Sequence, residues 1–316
     1  MRSLDSASTG IGQRQLEYLP RTDYDLIKAH SYAAVITLFL SAIAGLLVAL
    51  KLTLPELLGN HAALSWGRLR FDHTQGIFFG WLGNAFFAFC YHMVPRLADR
   101  PVYSRKLGWG IFLLWNFGML LPGWTSISLG LDNQWLAVQS LEWAEFPMLI
   151  DLLAVLGLLL ICVQFAGPFV LKRQSGGVYI SVWYLVGGAV FSLLAYPVGN
   201  FVPAFVPGAQ GAAFSGLWIH DAVGLFVTPF VLAMAYYIIP ATTQRLNLQP
   251  LSVDDRLLVS VFLLSLEWHP PLRLLGSANG CAEGGDHCLG VLGDGRNPRG
   301  IQPVDFAARA GGEGRQ

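Results

Sequence analysis

Two histidines carry the strongest chemical signal in this sequence. His73 opens an apolar stretch in GRLRFDHTQGIFFGWLGNAFFAFCYHMVPRL, and His220 lies within another in SGLWIHDAVGLFVTPFVLAMAYYIIP. Polar groups inside long apolar runs are costly, so each is a candidate functional residue. Neutral imidazole is a good ligand for iron and copper. If the second stretch becomes helical near Phe214, His220 sits about 9 Å along its axis. His73 is similarly shallow from the same face, so the pair suits two metal centres at one level. Around His73, Gly76, Gly80 and Gly83 clear space, and Phe78, Phe79, Trp81 and Phe86 offer walls for a large flat cofactor such as haem. The competing reading is a helix-packing histidine at a small-residue interface.

Charged residues nearby have paired readings too. Arg68 and Arg70 stand just outside the His73 stretch. They either pair bidentately with the propionates of a haem or snorkel to the membrane interface. Glu142 and Glu145, in SLEWAEFPMLIDLL, mark the mouth of a later apolar run. An acidic pair there either holds a hard cation with propionates or is a solvated helix start favoured by the dipole. Asp151 and Asp221 lie deeper. Asp221 adjoins His220 and either orients a ligand or passes protons, or hydrogen-bonds a neighbouring helix. His30, His61 and His92 fall in loops or near inner ends and receive no role.

The elements that must position these residues are membrane helices. Of 316 residues, 54% are hydrophobic and 13% charged, with a mean hydropathy of +0.50. Six apolar stretches, near 31–52, 72–95, 107–129, 146–171, 178–200 and 214–240, are long enough to cross the bilayer. Backbone groups in lipid must bond internally, and no polar–apolar alternation suggests a barrel, so all six are helices. Arg2, Arg14, Arg21, Lys28, Arg96, Arg100, Arg105, Lys106, Lys172, Arg173 and Arg245 fall on one side; only Lys51, Arg68 and Arg70 fall on the other. The positive-inside rule then places the N-terminus in the cytoplasm. The formal net charge is zero, which offers nothing to nucleic acid.

Residues 1–26 form a polar leader without the apolar core or cleavage site of a signal peptide. The character changes again after about Leu246. Residues 257–266 (LLVSVFLLSL) start like a seventh helix, which EWHPPLRLLG stops. The Gly-rich, charged remainder has neither helical nor strand period, and disorder is expected. Cys281, Asp286, His287 and Cys288 lack the paired spacing of a zinc site. The four cysteines, including Cys90 and Cys162 in apolar runs, are no disulfide framework. The expected fold is therefore an all-α integral membrane protein of six transmembrane helices with a disordered C-terminal tail.

Together the two histidine segments resemble the catalytic subunit of cbb-type cytochrome c oxidases, the C family of haem–copper oxidases. GRLRFDH is similar to the helix-two motif that precedes the low-spin haem histidine. WIHDAVGLFVTPF is similar to the helix-six pattern W-Y-G-H-N-A-V-G-F-F-L-T, and EWAEFP and VYISVWY follow in order and spacing. The likeness covers roughly residues 20–245. It implies His73 as an axial ligand of low-spin haem b and His220 as a ligand of the active-site copper. It also implies Glu142 as the acidic residue near the propionates and a bound calcium. The expected function is electron transfer from cytochrome c to oxygen with proton translocation. The expected setting is a bacterial-type inner membrane, with membrane lipid and other oxidase subunits, including membrane-anchored c-type cytochromes, as partners.

The sequence departs from that pattern in two ways. The Gly and Asn that flank the family's helix-six histidine are Ile219 and Asp221 here. More seriously, the family's bundle has about twelve helices and supplies two further copper histidines and both remaining haem ligands beyond helix six, whereas a metal needs its full ligand set. No adjacent histidine pair occurs in this chain, so the copper and high-spin haem of the full-length family protein lack their ligands, and the chain alone is expected to be inactive. Trp268-His269-Pro270-Pro271-Leu272, read one base later, permits Gly, Thr or Ile, then His, His and Tyr. A one-base frameshift between about Leu246 and Leu257 would account for the change. Region 27–245 would then be the oxidase-like part and 246–316 an aberrant tail. The alternatives are a nitric oxide reductase-like subunit of the same superfamily, a non-catalytic haem-binding membrane protein, and a metal-free six-helix transporter or sensor.

Overall fold

A computed structural model describes residues 22–59, 61–131, 133, 135–171, 178–206 and 208–242. The leader and the tail after residue 242, with the seventh apolar run and Cys281–Cys288, lie outside the described residues. Six long helices carry the fold: α1 (Tyr24–Thr53), α2 (Trp66–Ala98), α3 (Arg105–Leu129), α4 (Met148–Leu171), α5 (Ile180–Phe205) and α6 (Gly208–Thr242). All six are long and apolar enough to cross a membrane. Among the described residues there is no strand, and the only other helix is a short 3₁₀ turn, Ala62–Leu64.

All six expected spans are present, but three begin earlier than hydropathy implies. The apolar runs place their starts near 31, 72 and 214, whereas the helices start at Tyr24, Trp66 and Gly208. Hydropathy detects only the lipid-immersed part of a helix, while polar turns extend beyond it. Asp23 caps α1 by accepting hydrogen bonds from the amides of Asp25 and Leu26, at 3.2 and 3.3 Å. Such a cap satisfies amides that the first turn otherwise leaves without partners. The polar sequence WGRLRFD forms the first turns of α2. His220 is therefore twelve residues into its helix and His73 seven into its own, about 18 and 10 Å along their axes.

Helix α1 is built the wrong way round for water. Its buried face carries Leu26, His30, Ala34, Thr37 and Ser41, while Tyr32, Val35, Ile36, Phe39, Ile43, Leu46 and Leu50 are exposed. Polar-inward and apolar-outward packing is what hydrocarbon selects, because lipid tails are as apolar as leucine. Helix α2 is central and packs along the polar face of α1. Close approach requires small residues there: a Cβ on Gly76 would stand 2.0 Å from Ser41 Oγ and 2.1 Å from Trp124 Cζ2. Gly80 faces Thr37 and Gly83 faces Trp115 in the same way. These glycines admit neighbouring helices instead of clearing space for a cofactor. The aromatic core joins α2 to the rest through Phe78, Phe79, Phe87, Trp115, Tyr196 and Phe226.

Candidate metal and haem site

Each histidine stands just before a π-helical turn. The segment Gly76–Gly83 begins three residues after His73, and Ala222–Val227 begins two residues after His220; a third, Leu114–Leu120, interrupts α3. The extra residue per turn re-aims the side chains around it, and such turns occur frequently at functional sites.

His73 is held by α1. Its Nδ1 lies 2.8 Å from the Ser41 carbonyl oxygen, so Nδ1–H donates and Nε2 carries the lone pair. The ring lies against Gly45, where a Cβ would come within 2.6 Å of Nδ1. A backbone carbonyl that fixes the tautomer and orientation of an imidazole is the usual support of a metal-ligating histidine. The donor chemistry thus fits an axial haem ligand through Nε2. Neither Ser41 nor Gly45 was flagged by sequence reasoning. The available signal was the spacing of Thr37, Ser41 and Gly45 along one helix face.

His220 has a different environment. Its side chain is 41% exposed, and Nδ1 stands 3.3 Å from Oδ1 of the adjacent, buried Asp221. Among the described residues, no three His, Cys, Asp or Glu side chains converge as a metal site. One imidazole does not hold copper alone, so the described residues do not complete a copper site.

The loop between α3 and α4 links the two histidine helices. Gln75, two residues after His73, donates a short hydrogen bond from Nε2 to Glu145 Oε2. Trp218, two residues before His220, donates from Nε1 to the Trp143 carbonyl at 2.8 Å. The Trp143 amide donates to Glu145 Oε1 at 3.0 Å, which closes the bridge. Trp143 adopts φ +62°, a left-handed conformation that costs a non-glycine residue about 1–3 kcal/mol and persists only where neighbours hold it. Phe78 packs against Trp143, Trp218 and Phe226, with ring centroids 5.8, 6.0 and 5.2 Å apart.

The remaining expected site residues each make a contact within the protein. Arg68 Nη1 donates to the Ser128 carbonyl at 3.1 Å, where α3 ends on left-handed Gly130. Asp72 accepts from Ser128 Oγ at 2.7 Å, so the start of α2 is tied to the end of α3. Arg70 Nη2 pairs with Glu142 Oε1 at 2.7 Å, with both side chains partly exposed. The two glutamates, alike in sequence, are separated by environment: Glu142 is exposed and ion-paired, whereas Glu145 is fully buried. Burial pushes the Glu145 carboxyl above its ordinary value, and hydrogen bonds from Gln75 and Trp143 partly restore it. Both precede α4, which begins at Met148. Below them, buried Asp151 accepts from Tyr196 Oη at 2.6 Å and from Gln139 Nε2, which fastens the loop to α4 and α5.

The bundle thus places a carbonyl-held histidine on one apolar helix and a second histidine on another. The comparisons make this specific. The family Cytochrome C and Quinol oxidase polypeptide I matches residues 25–266, and the chain belongs to it. A cytochrome c oxidase subunit 1 homolog of Agrobacterium tumefaciens (strain T37) is 29% identical over 75% of this chain and 46% of its own length. A bacteroid homolog of Bradyrhizobium diazoefficiens is 30% identical, over 71% and 42%. The cbb3-type cytochrome c oxidase subunit CcoN1 of Stutzerimonas stutzeri is 27% identical, over 70% and 47%. The chain spans less than half the length of these curated relatives.

Proposed function

We propose that this chain is the helix-one-to-six part of a C-family, cbb-type oxidase catalytic subunit. His73 would hold a low-spin haem b through Nε2, and His220 would be one ligand of the active-site copper. The observation that carries this reading is His73 Nδ1–H on the Ser41 carbonyl, which leaves Nε2 as the donor nitrogen. When bound, the low-spin haem supplies one-electron transfer from cytochrome c, and the copper with a high-spin haem supplies oxygen reduction coupled to proton translocation. The chain's own residues position these groups: Ser41 and Gly45 orient His73, Asp221 lies against His220, and the Trp143–Glu145 bridge sets α2 relative to α6. Arg68 and Arg70 retain guanidinium donors for propionates, and Glu142 Oε2 remains for a calcium ion. The other ligands come from further helices, and the working enzyme includes membrane-anchored c-type cytochromes in a bacterial inner membrane, with the N-terminus cytoplasmic.

The test is an absorption spectrum of the full chain, purified in detergent after expression with haem supply, paired with oxygen uptake on reduced cytochrome c. The expected result is a Soret band without oxygen uptake. A chain that folds but shows no Soret band would sink the reading. The frameshift after about residue 246 remains part of the proposal. The informative nucleotides are those for residues 244–274. A shifted frame that meets a stop or lacks the His-His pair ends that part.

A further inference from the structure

Helices α1 and α3 start side by side. Arg105, the first residue of α3, pairs with Asp23 and Asp25 at the start of α1, at 2.7 and 2.8 Å. From there a cleft of about 460 Å³ runs between the two helices. Ala29, Ile36 and Leu40 lie along one wall, and Phe112, Phe117 and Trp124 along the other. Ile36, Leu40 and Phe117 are exposed, so the cleft opens on the outer face of the bundle. Trp124 lies at the far end, with the ring edge bearing Cζ2 and Cε2 against Gly76.

The dimensions select the occupant. Ala29 to Leu40 is a rise of about 16 Å at 1.5 Å per residue. That is close to one leaflet, half of a hydrocarbon core about 30 Å thick. The cleft volume spread over that length leaves a cross-section of about 30 Å². A helix about 10 Å across needs roughly 80 Å². The cleft therefore admits an extended hydrocarbon chain and excludes a helix. Its buried polar residues are already paired. Thr37 Oγ1 donates to the Ala33 and Ala34 carbonyls at 2.7 and 3.1 Å. Asn116 Nδ2 donates to Asn84 Oδ1 at 3.1 Å and to the Phe112 carbonyl at 3.0 Å. Paired groups of this kind can face hydrocarbon without the penalty of a lost hydrogen bond.

The near end of the cleft is basic. Lys28, Tyr32, Ile36 and Leu40 recur every four residues and so form one stripe of α1. Lys28 is exposed one residue before the cleft begins, and Lys106 is exposed in the first turn of α3. Arg105 is occupied by Asp23 and Asp25, whereas Lys28 and Lys106 make no ion pair among the described residues.

We propose that this cleft binds one anionic diacyl phospholipid, with an acyl chain along the α1–α3 walls and the phosphate between Lys28 and Lys106. The walls alone would not select a lipid, because membrane tails are as apolar as the residues they touch. The two lysines supply the selection, since each cation close to anionic headgroups adds to binding. Neither histidine of the candidate metal and haem site takes part, so the lipid site stands apart from the oxidase reading.

The experiment is native mass spectrometry of the full chain in detergent, titrated with dioleoyl phosphatidylglycerol or with dioleoyl phosphatidylethanolamine. One retained phosphatidylglycerol is expected, bound more tightly than phosphatidylethanolamine. Lys28→Gln combined with Lys106→Gln should weaken phosphatidylglycerol about 30-fold and erase its advantage. Ala33→Phe, which fills the cleft, should weaken it at least as much, whereas Leu159→Phe on the exposed face of α4 should leave it unchanged. Equal retention of the two lipids overturns the site. So does phosphatidylglycerol binding that survives the double lysine substitution, or that Ala33→Phe and Leu159→Phe affect alike. Should Ala33→Phe not fold, the exposed lysine pair decides alone.

Discussion

The two histidines occupy regions in contrasting states of completion. Around His73, α2 is enclosed by its neighbours, and 67% of its most apolar window is buried; the corresponding share of α6 is 33%. His73 has a backbone carbonyl to fix its tautomer, whereas His220 is 41% exposed beside Asp221. The six helices thus fix the orientation of the His73 ring but leave His220 open at one side.

The largest effect that sharpens this contrast is expected in the closed region. Trp115 is fully buried, donates from Nε1 to the Phe79 carbonyl at 2.9 Å and packs on Phe87 at 4.9 Å. Trp115→Ala should destabilise the detergent-solubilised chain by about 3–5 kcal/mol, from the cavity and the orphaned carbonyl. His220→Ala should cost clearly less, about 1 kcal/mol, because its side chain is partly exposed and it gives up only the contact with Asp221. Denaturant unfolding followed by tryptophan fluorescence measures both, and equal losses would break the comparison.

A second, smaller effect is expected in the bridge. Glu145 lies outside the spans, and burial raises its folded-state value above the ordinary carboxyl value of 4.5. A raised acid holds its proton more tightly when folded. Its contribution is fully present below the ordinary value and is lost as pH rises through the raised one. Thermal midpoints should therefore fall with rising pH in that window for the wild type, and Glu145→Gln should flatten the profile. The smallest effect belongs to Arg70–Glu142. Both side chains are partly exposed, so a double-mutant cycle should return a coupling of about 1 kcal/mol or less, shrinking in salt.

How much of this was legible in the sequence follows from what each feature costs. The six spans were readable because hydrocarbon leaves the backbone no alternative to the helix. The starts of α1, α2 and α6 were not, since their first turns lie in polar sequence. His73 stood out by type and place, but its acceptor is a backbone carbonyl on Ser41, which no side-chain pattern announces. Glu142 and Glu145 looked equivalent, and only the left-handed turn at Trp143 separates them, turning one to solvent and one to Gln75. For the glycines of α2, sequence shows that a side chain is absent but not that Ser41, Thr37, Trp115 and Trp124 fill the space. His30 was passed over near a helix end, although its spacing with Ala34, Thr37 and Ser41 marks a polar inner face.

The central claim is that His73, and not His220, is the ligand this chain can use unaided. The most direct measurement compares Soret absorbance per mole of folded protein in the wild type, His73→Ala and His220→Ala, all purified alike with haem supply. The account predicts that the band is lost in His73→Ala and retained in His220→Ala. Retention in His73→Ala, or equal loss in both variants, would contradict it.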